Sequence, residues 1–128
     1  MGGITIVKNL FVYGTLRKGF GLNIYLGSAK YLSEGTLNNH RMYIMPFGVP
    51  FITPEEKYDV HGELYELSDN FYEYIIERLD LIETGYTRTK KKIQTEYGEE
   101  EAEVYIISNM VDGRPLDSGD FTKLFKTK

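Results

Sequence analysis

The strongest constraint on the fold is that strand patterns run through most of the chain, whereas one segment has a clear helical pattern. Residues Val60 to Leu67 alternate apolar and polar side chains, as a half-buried strand does. Alternation on either side of Tyr97-Gly98, over 93–95 and 102–106, predicts a hairpin. The helical pattern covers about Phe71 to Glu83. One helix set among strands predicts an α+β fold, with an antiparallel or mixed sheet that curls toward a barrel.

Breaker and turn residues predict the remaining elements. From the N-terminal side these are a strand over Leu10–Tyr13, a glycine-rich loop over 14–22, a short helix over Asn23–Tyr31, a strand over Gly35–Tyr43, an irregular segment over Pro46–Pro54 and a last helical turn near Phe121–Phe125. Asn70 and Glu73 resemble a capping box at the start of the main helix, which we expect to stop at Gly85. The 128 residues fit one domain, 1–128.

One carboxylate of the predicted helix lies on its apolar side. With Phe71 set to zero and 100° per residue, Ile75, Leu79 and Ile76 fall at about 40° to 140°, and Glu83 falls at about 120°. A carboxylate on such a face is costly unless it is paired, protonated or lining a cavity. Burial and the carbonyl end of the helix both raise its pKa, toward the range of a general acid or base. The alternative is that the helix frays and Glu83 points to water.

A second candidate is the loop Tyr13-Gly14-Thr15-Leu16-Arg17. A strand that ends in glycine exposes backbone N–H groups without ladder partners, and such groups can bind a carboxylate or a phosphate. The spacing Gly14 to Gly19 invites comparison with a phosphate loop, but Phe20 stands where that loop requires Lys. By spacing alone an ordinary turn explains the loop equally well.

Composition removes several classes of function. There is no Cys, so disulfides, thiolate nucleophiles and Cys-bound metal are excluded. His40 and His61 lack ligand-like spacing, so we expect neither a metal nor another cofactor. The net charge of −4 argues against nucleic acid, and we interpret Lys90-Lys91-Lys92 as a solvated strand edge. No apolar run suits a membrane span, and the N-terminus does not resemble a signal peptide, so we expect a cytoplasmic protein.

Six motifs together resemble those of the γ-glutamylcyclotransferase-like superfamily. In family order they are the Tyr-Gly-Thr-Leu loop at 13–16, Gly-Glu-Leu-Tyr-Glu-Leu at 62–67, Leu-Asp-Leu-Ile-Glu at 79–83, Tyr-Thr-Arg at 86–88, Ala-Glu-Val-Tyr at 102–105 and Ser-Gly-Asp-Phe at 118–121. Two positions depart from the pattern: Thr84 stands where Gly is common, and Phe121 where Trp or Tyr is frequent. The matches extend over nearly the whole chain.

The resemblance implies a small curled or closed mixed β-barrel with one main helix and short flanking helices. It also implies an enzyme that releases 5-oxoproline from a γ-glutamyl compound by attack of the substrate's own α-amine. Glu83 is then the catalytic acid and base. The backbone of residues Tyr13 to Leu16 binds substrate, with Arg17 either reinforcing it or remaining a surface charge.

The leaving group is open at this point. The compact length and the loop sequence look most like the γ-glutamylamine type, with γ-glutamyl amino acids and glutathione as further candidates. We expect the segment Met45 to Pro54 to line the leaving-group side, and the protein to be a monomer or a weak homodimer. A non-catalytic small-molecule binding domain on the same fold is the alternative, and a barrel that binds nucleic acid is a third possibility.

Overall fold

A computed structural model describes residues 8–27, 29–107 and 111–125, apart from the side chains of Asp69 and Asn70. Its strands are β1 Lys8–Val12, β2 Lys30–Ile44, β3 Pro50–Leu67, β4 Tyr86–Thr95, β5 Gly98–Ile107 and β6 Arg114–Leu116. The main helix is α1 Asp69–Ile82, and two 3₁₀ turns cover Gly21–Leu26 and Phe121–Phe125. Strands therefore dominate, as the alternation predicted.

Five of the strands close a mixed barrel. Their order is β3-β1-β5-β4-β2, and β2 pairs with β3 to complete the circle, while β6 lies outside β2. The β1–β5 pairing is parallel and the others are antiparallel. In the described residues, closure between β2 and β4 rests on one register pair, Thr36 with Gln94. The predicted α+β class and mixed barrel are confirmed.

The barrel interior holds one apolar core, and the helix packs over a second. Phe11, Leu64 and Val104 fill the interior. Outside it, Ile75, Ile76 and Leu79 of α1 pack on Leu10 and other outward-facing strand residues. The predicted helical stripe is therefore the buried face, and Leu81, which falls at about 280° on the same wheel and so outside the stripe, is 74% exposed. Phe71, which was the zero point of the helical wheel, is 49% exposed.

Several predicted boundaries were wrong. The helix expected over Asn23–Tyr31 is a 3₁₀ turn that ends at Leu26, after which β2 begins at Lys30. The irregular segment over Pro46–Pro54 is irregular only up to Val49, since β3 begins at Pro50. Proline is tolerated there because β1 pairs only with Glu63–Leu67, which leaves one edge of early β3 without a neighbouring strand.

The main helix lies between Ser68 and the turn at Gly85, where the helix was expected to stop. Ser68 is the N-cap residue and makes no capping hydrogen bond through its side chain. The capping box proposed for Asn70 and Glu73 lies outside the described side chains. At the other end α1 stops at Ile82, and Gly85 adopts φ 95°, which turns the chain into β4.

Candidate active site

Glu83 is the residue that ends the main helix. Its N–H group donates to the carbonyl of Leu79 at 2.8 Å, so the last turn of α1 is still closed. Its own carbonyl accepts from the N–H of Tyr86 at 3.0 Å, across the turn into β4. The side chain is half-buried and lines a pocket at the end of the barrel. Helix and strand together therefore fix the backbone of Glu83 on both sides.

The pocket around Glu83 is formed mainly by the glycine loop. Its lining consists of Phe11, Val12, Tyr13, Gly14, Thr15, Leu16, Val49, Pro50, Glu83 and Tyr105. The cavity volume is about 30 Å³, which is room for about two water molecules. The structure thus brings together two features that lie about 70 positions apart in the sequence, the loop and the helix end.

The carboxylate of Glu83 sits in an environment that favours its protonated form. Burial raises its pKa from 4.5 to about 7. Among the described residues its side chain has no hydrogen-bond or ion-pair partner that would counter this effect. A carboxyl group with a pKa near neutrality can both take up and release a proton at ordinary pH, which is the property of a general acid–base catalyst.

Three tyrosines lie near this carboxylate: Tyr13 and Tyr105 are buried, and Tyr86 is half-buried. The hydroxyl of Tyr13 donates to the carbonyl of Tyr105 at 2.7 Å, and that of Tyr86 donates to the carbonyl of Pro50 at 2.7 Å. Burial raises the pKa of all three phenols well above the usual value, and the negative charge of Glu83 adds to each shift. The phenols therefore stay neutral, and they place no second negative charge beside Glu83.

The loop itself presents backbone donors. A hydrogen bond of 2.9 Å from the N–H of Arg17 to the carbonyl of Gly14 closes a turn. Within the described part of the chain, the N–H groups of Gly14, Thr15 and Leu16 find no acceptor. Gly14 packs directly against Pro50, because a Cβ atom at this position would lie 2.5 Å from the Cγ of Pro50. The loop thus offers free N–H groups in a space where a side chain would not fit.

A charged network anchors the helix end to the sheet. Asp80 of α1 accepts from Arg88 of β4 at 3.1 Å through both oxygens, and from the hydroxyl of Tyr105 at 2.7 Å. Arg88 also pairs with Glu103, which accepts in addition from the hydroxyl of Tyr72. The last turn before Glu83 is therefore tied to both β4 and β5.

The side chain of Arg17 does not join the Glu83 pocket. It is 5% exposed, and it pairs with Glu63 at 3.2 Å and with Asp120 at 3.0 Å. The N–H of Lys18 donates to the same Glu63 at 2.8 Å. These contacts hold the second half of the loop on β3. Arg17 faces another cavity of about 640 Å³, which is larger than the Glu83 pocket but contains none of its tyrosines.

Two residues near Glu83, Tyr105 of the pocket lining and Tyr86 beside it, were missed when candidate site residues were chosen from the sequence. Tyr86 and Tyr105 stand inside quoted motifs, yet nothing in their spacing shows that they face Glu83. Val49 and Pro50 fall within the segment expected to line the leaving-group side, and they do line the pocket. The signal that would have found Tyr86 is its place as the first residue of the strand that follows the helix end.

No group of His, Asp and Glu among the described residues is arranged to hold a metal ion. None of the described helices has both the length and the apolar character needed to cross a bilayer.

The fold of this chain, a closed barrel with a main helix packed on it, is shared with proteins of solved structure. The crystal structure of PH0828 from Pyrococcus horikoshii superimposes with a TM-score of 0.74 at 28% identity, and the match covers 92% of each chain. YkqA from Bacillus subtilis matches with a TM-score of 0.75 at 26% identity, over 92% of this chain and 40% of that one.

Sequence comparison gives the family. The family described as gamma-glutamyl cyclotransferase, AIG2-like, matches residues 10–123. The gamma-glutamylcyclotransferase family protein YtfP of Escherichia coli is 33% identical over 117 residues, which is 88% of this chain and 94% of YtfP. The chain belongs to the gamma-glutamyl cyclotransferase, AIG2-like family, and the resemblance noted from its motifs is confirmed. The roles of Glu83 and of the loop stay predictions.

Proposed function

We propose that this protein is a cyclotransferase that releases 5-oxoproline from a γ-glutamyl amine or γ-glutamyl peptide, with Glu83 as general acid and base. The observation that carries the proposal is a carboxyl group with a pKa of about 7 in the pocket formed by the loop. Because the nucleophile belongs to the substrate, the reaction requires no Ser or Cys nucleophile. The protein has to orient the substrate and move protons.

The free N–H groups of Gly14, Thr15 and Leu16 hold the substrate. They bind the α-carboxylate of the γ-glutamyl group and stabilise the negative charge that develops on the γ-carbonyl oxygen. Arg17 does not contact the substrate in this scheme. Its ion pairs with Glu63 and Asp120 keep the loop in place. The γ-glutamyl group is larger than a pocket of about 30 Å³, so its binding requires Pro50 to move away from Gly14.

The chemical step moves two protons through Glu83. The Glu83 carboxylate takes a proton from the α-ammonium group, and the freed nitrogen attacks the γ-carbonyl carbon. A new C–N bond closes the five-membered ring, and the carbonyl oxygen takes up negative charge. When the bond to the leaving amine breaks, the carbonyl re-forms and Glu83 gives its proton to the leaving nitrogen. The restored carboxylate then takes the second proton from the ring nitrogen and passes it to the released amine, which leaves as an ammonium ion together with 5-oxoproline.

The substitution Glu83→Gln tests this assignment, since it keeps the shape and removes the proton acceptor. We expect binding to be retained and the formation of 5-oxoproline to fall by at least ~10²-fold. The substrates are a panel of γ-glutamyl amines, γ-glutamyl amino acids and glutathione, among which the γ-glutamylamine type is the one that chain length and loop sequence favour. Glu77→Gln, on the exposed side of the same helix, is the matched control.

Near-normal turnover by Glu83→Gln would remove Glu83 from the mechanism. Binding of γ-glutamyl compounds without release of 5-oxoproline from any of them would instead favour the non-catalytic binding domain.

A further inference from the structure

Apart from the cavity that Arg17 faces and in addition to the Glu83 pocket, a second cavity lies at the turn between β2 and β3, next to Val49 and Pro50. It has a volume of about 320 Å³ and is lined by Ile44, Met45, Pro46, Gly113 and Arg114. The turn is closed by hydrogen bonds from the N–H of Met45 to the carbonyl of Val49 and from that of Gly48 to the carbonyl of Met45. A volume near 300 Å³ is at the lower end of small-ligand pockets, whereas the Glu83 pocket is about ten times smaller.

Strand register fixes the distance between the two cavities. Ile44 of β2 pairs with Pro50 of β3 on one side and with Arg114 of β6 on the other. Neighbouring strands are about 4.8 Å apart, so the backbone of Arg114 is roughly 10 Å from that of Pro50. Residues in direct register also project to the same face of a sheet. Arg114 therefore lies on the same face of the sheet as Pro50, which lines the Glu83 pocket. The distance between these two residues is about the length of a small substrate.

Arg114 differs from the paired arginines of the protein. Arg17, Arg41 and Arg88 each make ion pairs with two carboxylates. Arg114 is exposed and makes no ion pair or side-chain hydrogen bond with any described residue. A guanidinium group recognises carboxylates through two parallel hydrogen bonds, and here both donors are free.

We propose that Arg114 binds a carboxylate carried by the leaving amine and so determines which γ-glutamyl compounds are used. The inference rests on the proposed function: the γ-glutamyl group occupies the Glu83 pocket, and the leaving amine extends past the Val49–Pro50 turn into the second cavity. A leaving amine that is also a carboxylic acid, such as an amino acid, fits this arrangement better than a plain alkylamine of the same length.

Two pairs of substrates that differ only in this carboxylate test the proposal. The first pair is γ-glutamyl-ε-lysine and γ-glutamylcadaverine, and the second is γ-glutamylalanine and γ-glutamylethylamide. For the wild-type protein we expect a higher kcat/KM with the acid of at least one pair. In Arg114→Gln we expect that advantage to fall about 10-fold, mainly through KM, which is the scale of one charge-assisted hydrogen bond.

Matched variants sharpen this test. Arg114→Lys keeps the charge without the paired donors and should retain part of the preference. Arg78→Gln removes a charge from the exposed face of α1 and should leave the preference unchanged. The pair that responds also gives the length of the leaving group, because the carboxylate of an ε-linked lysine lies several bonds further from the scissile nitrogen than that of alanine.

The outcomes separate this inference from the proposed function. Release of 5-oxoproline from all four compounds at similar efficiency, or an equal loss for both members of each pair in Arg114→Gln, overturns the role of Arg114 and leaves the activity intact. Binding of the same compounds to Glu83→Gln by calorimetry gives a measurement that needs no turnover. Tighter binding of the acids that disappears when Arg114→Gln is added supports the carboxylate site, and equal binding of acids and amines refutes it.

Discussion

Glu83 has a raised pKa because of where its side chain is held, and not because of a charged neighbour. Burial is the cause of the shift, and no cation or hydrogen-bond donor of the described residues offsets it. Its surroundings are the hydroxyl-bearing rings of Tyr13, Tyr86 and Tyr105, which are themselves kept neutral by burial. A group in this setting stabilises the folded protein less when it is charged than when it is protonated.

This leads to a prediction about stability and pH. The pKa of Glu83 is about 7 in the folded protein and 4.5 in a free side chain. Between these values the folded state binds more protons than the unfolded state, so this residue makes the free energy of unfolding fall as pH rises. Glu83→Gln lacks the group, and we expect its stability relative to wild type to increase by up to about 3 kcal/mol between about pH 4 and pH 8.

Urea denaturation at a series of pH values measures this difference. Glu77→Gln controls for the loss of a surface charge from the same helix. Parallel stability profiles of Glu83→Gln and wild type would show that the folded protein does not raise the pKa of Glu83.

The helix α1 owes the placement of its last turn to contacts with β4 and β5. Asp80 and Glu103 both bind Arg88, so one guanidinium group joins all three elements. The side chain of Glu103 is 11% exposed, and a carboxylate with so little access to water is costly without its partner. This network therefore holds the last turn of α1 in place, and with it the direction in which Glu83 points.

We predict that Arg88→Gln lowers the free energy of unfolding by roughly 2 kcal/mol. The value lies below that for a fully buried pair because the side chain of Arg88 is 26% exposed. Adding Glu103→Gln should recover part of the loss, because the double variant leaves no unpaired carboxylate at that position. Chemical denaturation of the two single variants and the double variant measures the coupling. A loss below about 0.5 kcal/mol in Arg88→Gln would contradict this account.

At the scale of the whole molecule, the barrel is narrow where β2, β3 and β1 meet. Gly35 of β2 and Gly62 of β3 are in direct register, and both back onto Phe11 of β1. A Cβ atom on Gly62 would lie 2.2 Å from the carbonyl oxygen of Val12 and 2.8 Å from the ring of Phe11. The strands can approach this closely only because that side chain is missing.

Gly62→Ala should therefore destabilise the protein by at least ~2 kcal/mol, since backbone cannot move aside as a flexible side chain can. Gly21→Ala is the matched control, because a Cβ atom there meets nothing within 4 Å. We expect that control to change the free energy of unfolding by less than about 1 kcal/mol. Thermal or chemical unfolding of both variants gives the comparison. Equal stability of the two would show that the barrel can widen at Gly62.

Local patterns in the sequence predicted most of the elements. Alternation from Val60 to Leu67 and around Tyr97-Gly98 is a property of neighbouring residues, and it gave β3 in part and the β4–β5 hairpin. The helical periodicity likewise gave α1 to within about two residues at its start. The segment containing Pro50 and Pro54 was wrongly predicted to be irregular, because proline interrupts a central strand but is tolerated in a strand with a free edge.

What the sequence determined by itself is the mixture of strands with one long helix, and the unusual position of Glu83 beside an apolar stripe. Both follow from side-chain periods that span a few residues. Only the tertiary structure decided that Arg17 pairs with Glu63 and Asp120, that Tyr86 and Tyr105 enclose Glu83, and that β6 sets Arg114 in line with Pro50. These relations depend on the register between strands far apart in the chain, and register is fixed by how the whole barrel closes.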